Sequence, residues 1–169
     1  MNIADLEEGT VFLDTNILLY AYTTTRFSLS CERLLEKIQA GDITGYINAT
    51  VLDEFFHKAL LTELYTEKHL SPREAIAYIK KYPEILLDLN TPYVMAREIL
   101  EEYNLTVLET SNLPGDALLI SQRYGLLFSD ALHAASARNH HIDYFATNDR
   151  DFDRVDFLTL ARPSAEPIS

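Results

Sequence analysis

FLDTNILLY, residues 12–20, reads as a short buried strand that stops on a carboxylate. Val11, Phe12 and Leu13 form an apolar run, Asp14, Thr15 and Asn16 arrive together, and Ile17, Leu18 and Leu19 resume it. An acid at the carboxyl end of a first parallel strand is well placed for chemistry, because open α/β sheets bind ligands along that edge. Three more acids, Glu54, Asp130 and Asp149, stand at comparable positions. We expect them to converge on Asp14 and hold a divalent metal.

Working outward, residues 11–14 read as strand one. Ser28 or Ser30 can cap a helix that reaches about Gln39, with Leu34, Leu35 and Ile38 as its apolar positions and Gly41 ending it. Residues 45–48 form a second short strand. From Thr50, the residues Val51, Leu52, Phe55, Phe56, Ala59 and Leu60 recur at helical spacing and make one broad apolar face. Glu54 lies about 200° from Leu52 on that helix, at ~100° per residue. It can point to solvent or into a cleft, and periodicity does not choose between them.

Ser71-Pro72-Arg73-Glu74 starts another helix, with Ser71 at the N-cap, Pro72 in the first helical position and Glu74 completing a capping box. It stops before Pro83. Thr91-Pro92 opens a further helix, and residues 106–108 read as a third strand. A helical run follows over 117–124. The helix of residues 128–141 is built on Ala131, Ala134, Ala135 and Ala137, small side chains that let it lie close to a sheet. Residues 143–146 form a fourth strand ending at Thr147-Asn148-Asp149, and residues 157–160 an edge strand. Short apolar strands alternating with helices imply an α/β fold with a central, mainly parallel sheet flanked by helices. An enlarged helical segment stands between strands two and three. We read 1–160 as a single domain and 161–169 as a flexible tail.

The chain of 169 residues fits one domain, and 47 % hydrophobic residues suffice for a substantial core. The lone cysteine, Cys31, excludes an intrachain disulfide and any Cys-based metal site. The first ten residues lack the apolar segment of a signal peptide, and no stretch reaches the ~18 apolar residues of a membrane span. A soluble, cytoplasmic protein is expected. The net charge of −12 argues against a protein that coats nucleic acid through a broad basic face. It leaves room for a nuclease, since carboxylates around Mg²⁺ or Mn²⁺ bring acidity of their own and the bound metal inverts the local sign.

Hard divalent cations take oxygen ligands, usually one or two carboxylates plus waters. Metals so held acidify a bound water and neutralise a phosphodiester in its transition state. Each acid alone has a blander reading: Asp14 as a helix cap, Glu54 as a solvated helix residue, Asp130 as a charge favoured by a helix N-terminus, and Asp149 as turn chemistry. It is the four together that point to a site. His133 flanks Asp130, but an imidazole there more often satisfies a local hydrogen bond. Asp53 is a decoy beside Glu54, Asp116 a helix cap, and Tyr20 core-edge packing.

Four motifs, FLDTN (12–16), VLDEFFHKAL (51–60), LLFSDALHAASA (126–137) and FATNDRDF (145–152), occur in an order that resembles the PIN-domain family, metal-dependent ribonucleases that include the VapC-type toxins. The resemblance covers about residues 11–158. It implies that Asp14, Glu54, Asp130 and Asp149 are the acidic quartet, with Asp14, Asp130 and Asp149 as ligands of Mg²⁺ or Mn²⁺. Glu54 would bind a second metal or orient the attacking water. Thr15, Asn16, Thr147 and Asn148 would be supporting polar residues and Asp151 an auxiliary acid. The implied reaction is hydrolysis of single-stranded RNA by a metal-activated water. The implied partners are an antitoxin protein and, through the apolar helical insert, a second copy of the chain in a homodimer.

Two other enzyme or signalling classes fit less well. A haloacid-dehalogenase-type phosphatase needs a second acid two residues after the first, where Asn16 stands. A response-regulator receiver needs an acid pair and a strand-end Lys that are missing. A PIN-like scaffold that binds RNA or protein without cutting is the remaining alternative.

Overall fold

The computed structural model describes residues 1–166. Five strands make one sheet in the order β3-β2-β1-β4-β5, and every pairing is parallel. They are β1 (Thr10–Leu13), β2 (Thr44–Asn48), β3 (Thr106–Leu108), β4 (Tyr144–Ala146) and β5 (Leu160–Ala161). The helices are α1 (Thr15–Ala21), α2 (Ser28–Ala40), α3 (Ala49–Lys68), α4 (Pro72–Lys81), α5 (Ile85–Asp88), α6 (Thr91–Glu101), α7 (Pro114–Tyr124) and α8 (Phe128–Asn139). The expected mainly parallel sheet flanked by helices is therefore present. Among the described residues no helix is long and apolar enough to cross a membrane.

β1 is central, and Val11, Phe12 and Leu13 are fully buried, as a strand covered on both faces requires. Phe12 stacks on Phe145 of β4 with ring centroids 5.2 Å apart, and Phe145 packs on Phe152 at 4.6 Å. On the other side, Gly45 of β2 pairs with Val11. A Cβ on Gly45 would lie 2.5 Å from Leu105 and 2.9 Å from Ile38, so only glycine lets α2 and the β3 lead-in close over this strand. The strand order reverses around β1, which places the carboxyl ends of β1 and β4 side by side. That is where open α/β sheets form their ligand crevice.

The helical segment between β2 and β3 comprises α3 to α6. Its outer part has a core of its own, made of Leu60, Leu64, Ala75, Ile85 and Leu89. The inner end of α3 belongs to the main core through Val51 and Phe55. The capping box forms as expected, with Glu74 accepting from the Ser71 backbone N–H at 2.9 Å.

Some boundaries differ from expectation. Asp14 lies one residue past β1 and caps α1, because its side chain accepts the Thr15 N–H. Ser28 is the first residue of α2 instead of its cap, and its hydroxyl accepts from the Thr25 N–H. Asp116 does not cap α7; it reaches Arg138 at 3.2 Å. The last strand is only Leu160–Ala161, with Phe145 N–H donating to Thr159 and Thr147 N–H to Ala161. The segment expected to fray from 161 onward is tied down as far as Glu166. Arg162 exchanges backbone hydrogen bonds with Met1 and Ile3, Ser164 N–H donates to Ser30, and Glu166 pairs with Arg33 at 3.1 Å. The rest of that expected tail, 167–169, lies outside the described residues.

Candidate active site

Four elements deliver the acids to one edge of the sheet. Asp14 follows β1, Glu54 sits in the second turn of α3, Asp130 in the first turn of α8, and Asp149 follows β4. Asp14 is the most enclosed, at 5 % exposure. Its Oδ1 accepts the Thr15 N–H at 2.7 Å, and its Oδ2 accepts from the Thr147 hydroxyl and the Asn16 amide. Burial outweighs these bonds and raises its pKa above the usual aspartate value.

The Thr147-Asn148-Asp149 turn is built around the same contacts. Thr147 Oγ1 accepts the Asp149 N–H at 3.0 Å while it donates to Asp14. Asn16 accepts the Asn148 N–H at 3.0 Å, and Asn148 donates to the Tyr20 hydroxyl at 3.1 Å. Tyr20 packs its ring on Phe27, which keeps it at the core edge. Asp149 Oδ1 accepts the Asp151 N–H at 2.8 Å, and its carboxylate is exposed at the mouth of the crevice. Asp151 turns away to pair with Arg154 at 2.9 Å.

Glu54 points into the crevice. Its Oε2 accepts the Thr15 hydroxyl at 2.8 Å and lies 3.9 Å from His133 Nε2. That second distance is too long for a hydrogen bond, so the imidazole acts on Glu54 through space. It is the largest influence pulling the Glu54 pKa down to about 2, assisted by Thr15 and opposed by burial. Asp53, its neighbour, is exposed.

Asp130 behaves in the opposite way. Partial burial is the main cause that pushes its pKa up to about 6; His133 lowers it, while the charges of Asp14, Asp149 and Glu54 raise it further. Asp130 thus senses the charges of the other three acids. The four do not form a closed cage: among the described residues no three His, Cys, Asp or Glu side chains gather tightly enough to hold a metal as they stand. The donor set still suits a hard cation. All its members offer carboxylate oxygen, and Mg²⁺ typically needs only one or two direct carboxylates and keeps its waters.

Three residues that matter here were not legible in the sequence. Arg162 donates to the carbonyls of Thr147 and Asp149, the latter at 2.7 Å, and pairs with Asp153, so it holds the Asp149 turn from behind. Asn48 and Ser136 bond to each other beside His133. No sequence signal announced Arg162, which lies beyond the last motif. Ser136 lies inside the 126–137 motif and Asn48 just before the 51–60 motif, so their position gave a faint one.

A PIN-domain family model matches residues 11–158, and the chain belongs to that family. Ribonuclease VapC2 of Methanocaldococcus jannaschii is 31 % identical over 157 residues, which are 92 % of this chain and 95 % of that protein. The crystal structure of VapBC2 from Rickettsia felis bound to a DNA fragment from their promoter aligns with a TM-score of 0.56 and 21 % identity, over 92 % of this chain and 99 % of that one. A toxin-antitoxin complex from Klebsiella pneumoniae aligns with a TM-score of 0.56 and 18 % identity, over 93 % and 99 %. At these identities the two structures attest the shared fold.

Proposed function

We propose that this protein is a metal-dependent ribonuclease that hydrolyses phosphodiester bonds of single-stranded RNA, with Asp14, Glu54, Asp130 and Asp149 as its working acids. The observation that carries the reading is that four chain-distant elements bring Asp14, Glu54, Asp130 and Asp149 to one edge of the sheet, where the other three acids act on Asp130. The Asp130 pKa is pushed up to about 6, first by burial and then, against the opposing influence of His133, by its three acidic neighbours. Carboxylates gathered at a sheet switch point with no Lys or Arg paired to them are suited to neutralisation by a cation. The relative named Ribonuclease VapC2 supports the nuclease chemistry.

In this reading Asp14, Asp130 and Asp149 hold Mg²⁺ or Mn²⁺, directly or through water. The bound ion supplies charge for the phosphate and acidifies a water. Asp14 enters that role already fixed, since Thr15, Asn16 and Thr147 all donate to it. Glu54, kept ionised to low pH, accepts a hydrogen bond from the attacking water and orients it. Asp149, the one exposed carboxylate of the four, would add its oxygen to the ion from the solvent side. Thr15, Asn16, Thr147 and Asn148 hold the acids in place; Asp151, paired to Arg154, acts only on the turn.

The reading includes a partner antitoxin and a homodimer. The toxin-antitoxin complexes that share this fold support the first. Light scattering of the purified chain tests the second. The deciding experiment is a panel of end-labelled single-stranded RNAs with Mg²⁺, Mn²⁺ or chelator, comparing wild type with Asp14→Asn. Cleavage that needs the metal and falls at least about a hundredfold in the variant is expected. Unchanged cleavage in Asp14→Asn overturns the site, and RNA binding without cleavage by wild type favours the scaffold.

A further inference from the structure

His133 is fully buried, yet its Nε2 has no hydrogen-bond partner among the described residues. A buried polar atom without a partner is costly and calls for an explanation. The tautomer of the ring follows from its neighbours. Asn48 Oδ1 accepts the Val51 N–H at 3.0 Å, which fixes which way the Asn48 amide faces. The Asn48 Nδ2 therefore points at His133 Nδ1, 3.2 Å away, and at Ser136 Oγ, 3.0 Å away. Ser136 gives its own hydrogen to the Leu132 carbonyl at 2.8 Å, so it can only accept from Asn48. Both amide hydrogens are thus assigned, and Nδ1 is the bare nitrogen. The ring hydrogen sits on Nε2, the atom that faces Glu54 Oε2 at 3.9 Å.

We infer that His133 is a positioning residue for Glu54: Asn48 locks its ring as the Nε2–H form, and that N–H and the Thr15 hydroxyl together aim the Glu54 carboxylate into the crevice. The inference rests on the nuclease reading for its consequence, but not for its geometry. Glu54 Oε2, 3.9 Å away, is the acceptor that this donor faces. The Phe12 ring packs beside the imidazole, with centroids 5.8 Å apart. The locking residues come from β2, α3 and α8, so the aim of Glu54 depends on how those three elements pack.

Two substitutions separate positioning from mere packing. Gln places an amide N–H near the position of Nε2, whereas Asn places its amide near that of Nδ1. His133→Gln is expected to keep kcat within about threefold, and His133→Asn to lose about tenfold or more in kcat with little change in KM. A residue that only satisfies Asn48 gives the reverse order, and that result overturns the inference. The second readout needs no RNA. In long-range ¹⁵N–¹H spectra of the whole chain, His133 is expected to show a protonated Nε2 and a bare Nδ1. Its Nε2 proton is expected to move upfield in Glu54→Ala. A protonated Nδ1, or a proton that ignores Glu54→Ala, overturns the inference. If wild type cuts no RNA, the nuclease reading fails while these spectra still decide the role of His133.

Discussion

The Thr147 hydroxyl donates to the Asp14 carboxylate across 133 residues of chain and so ties the end of β4 to the end of β1. The same oxygen accepts the Asp149 N–H, which makes one hydroxyl the hinge pin of two acids. Thr147→Val keeps the shape and removes the hydroxyl. It should cost about 1–3 kcal/mol of stability, because a buried carboxylate loses a donor. Cleavage should fall further than the loss of folded protein explains, measured as kcat at a temperature where both proteins are folded.

Asp130 and Glu54 should contribute to stability with opposite signs. For Asp130 the folded pKa of about 6 exceeds the ordinary aspartate value of 3.8, so between those values the folded chain binds more protons and stability falls as pH rises. Asp130→Asn should therefore stabilise the metal-free protein at pH 7, by about 1–2 kcal/mol after solvent screening, with the gain gone near pH 4. For Glu54 the folded value of about 2 lies below the ordinary glutamate value of 4.5. Its contribution is present above about pH 4.5 and lost as pH falls toward 2, so Glu54→Gln should destabilise at pH 7 by about 1–2 kcal/mol. Thermal melts of both variants from pH 3 to 7 check the signs, and two shifts of the same sign would refute this account.

Metal linkage follows from the same acids. A cation that binds only the folded chain stabilises it by mass action. Added Mn²⁺ should raise the melting temperature at pH 7.5, and much less at pH 5.5, where Asp130 is largely protonated and must lose its proton to bind. The rise should shrink in Asp14→Asn. Equal rises at both pH values would remove Asp130 from the ligand set.

Arg162 holds the Asp149 turn through two backbone carbonyls. Arg162→Ala should leave the acids in the sequence untouched and still lower kcat, by about tenfold, because the turn that presents Asp149 loses its brace. Stability should drop by about 1 kcal/mol, since a partly buried carbonyl and an exposed one lose a charged donor. Wild-type kcat in this variant would mean that Asp149 is held well enough by Thr147 alone.

The strands and the capping box could be read from the chain because each rests on local chemistry: Val11, Phe12 and Leu13 in a row, or Ser71 three residues before Glu74. The four acids could be read because each adjoins such an element. The direction of Glu54 could not, since a helix angle gives a face and not what that face meets; Thr15 and His133 decide it. Arg162 was illegible for a different reason. Its partners are main-chain carbonyls, which carry no residue identity, and they come within reach only because β5 runs parallel to β4. The sequence predicts a local hydrogen bond for His133, but the partner of its Nδ1 is Asn48, 85 residues away in the chain, and that long-range contact is what the ring's reading depends on.

α3 runs through two cores, the main one at Val51 and Phe55 and the outer one at Leu60 and Leu64. Its amides should then exchange with deuterium in two blocks. Those near Glu54 should open only with the whole molecule, and those beyond Leu60 with the outer helices at a lower free energy. The outer half of α3 can then loosen with the helices packed on it while the turn that carries Glu54 stays closed.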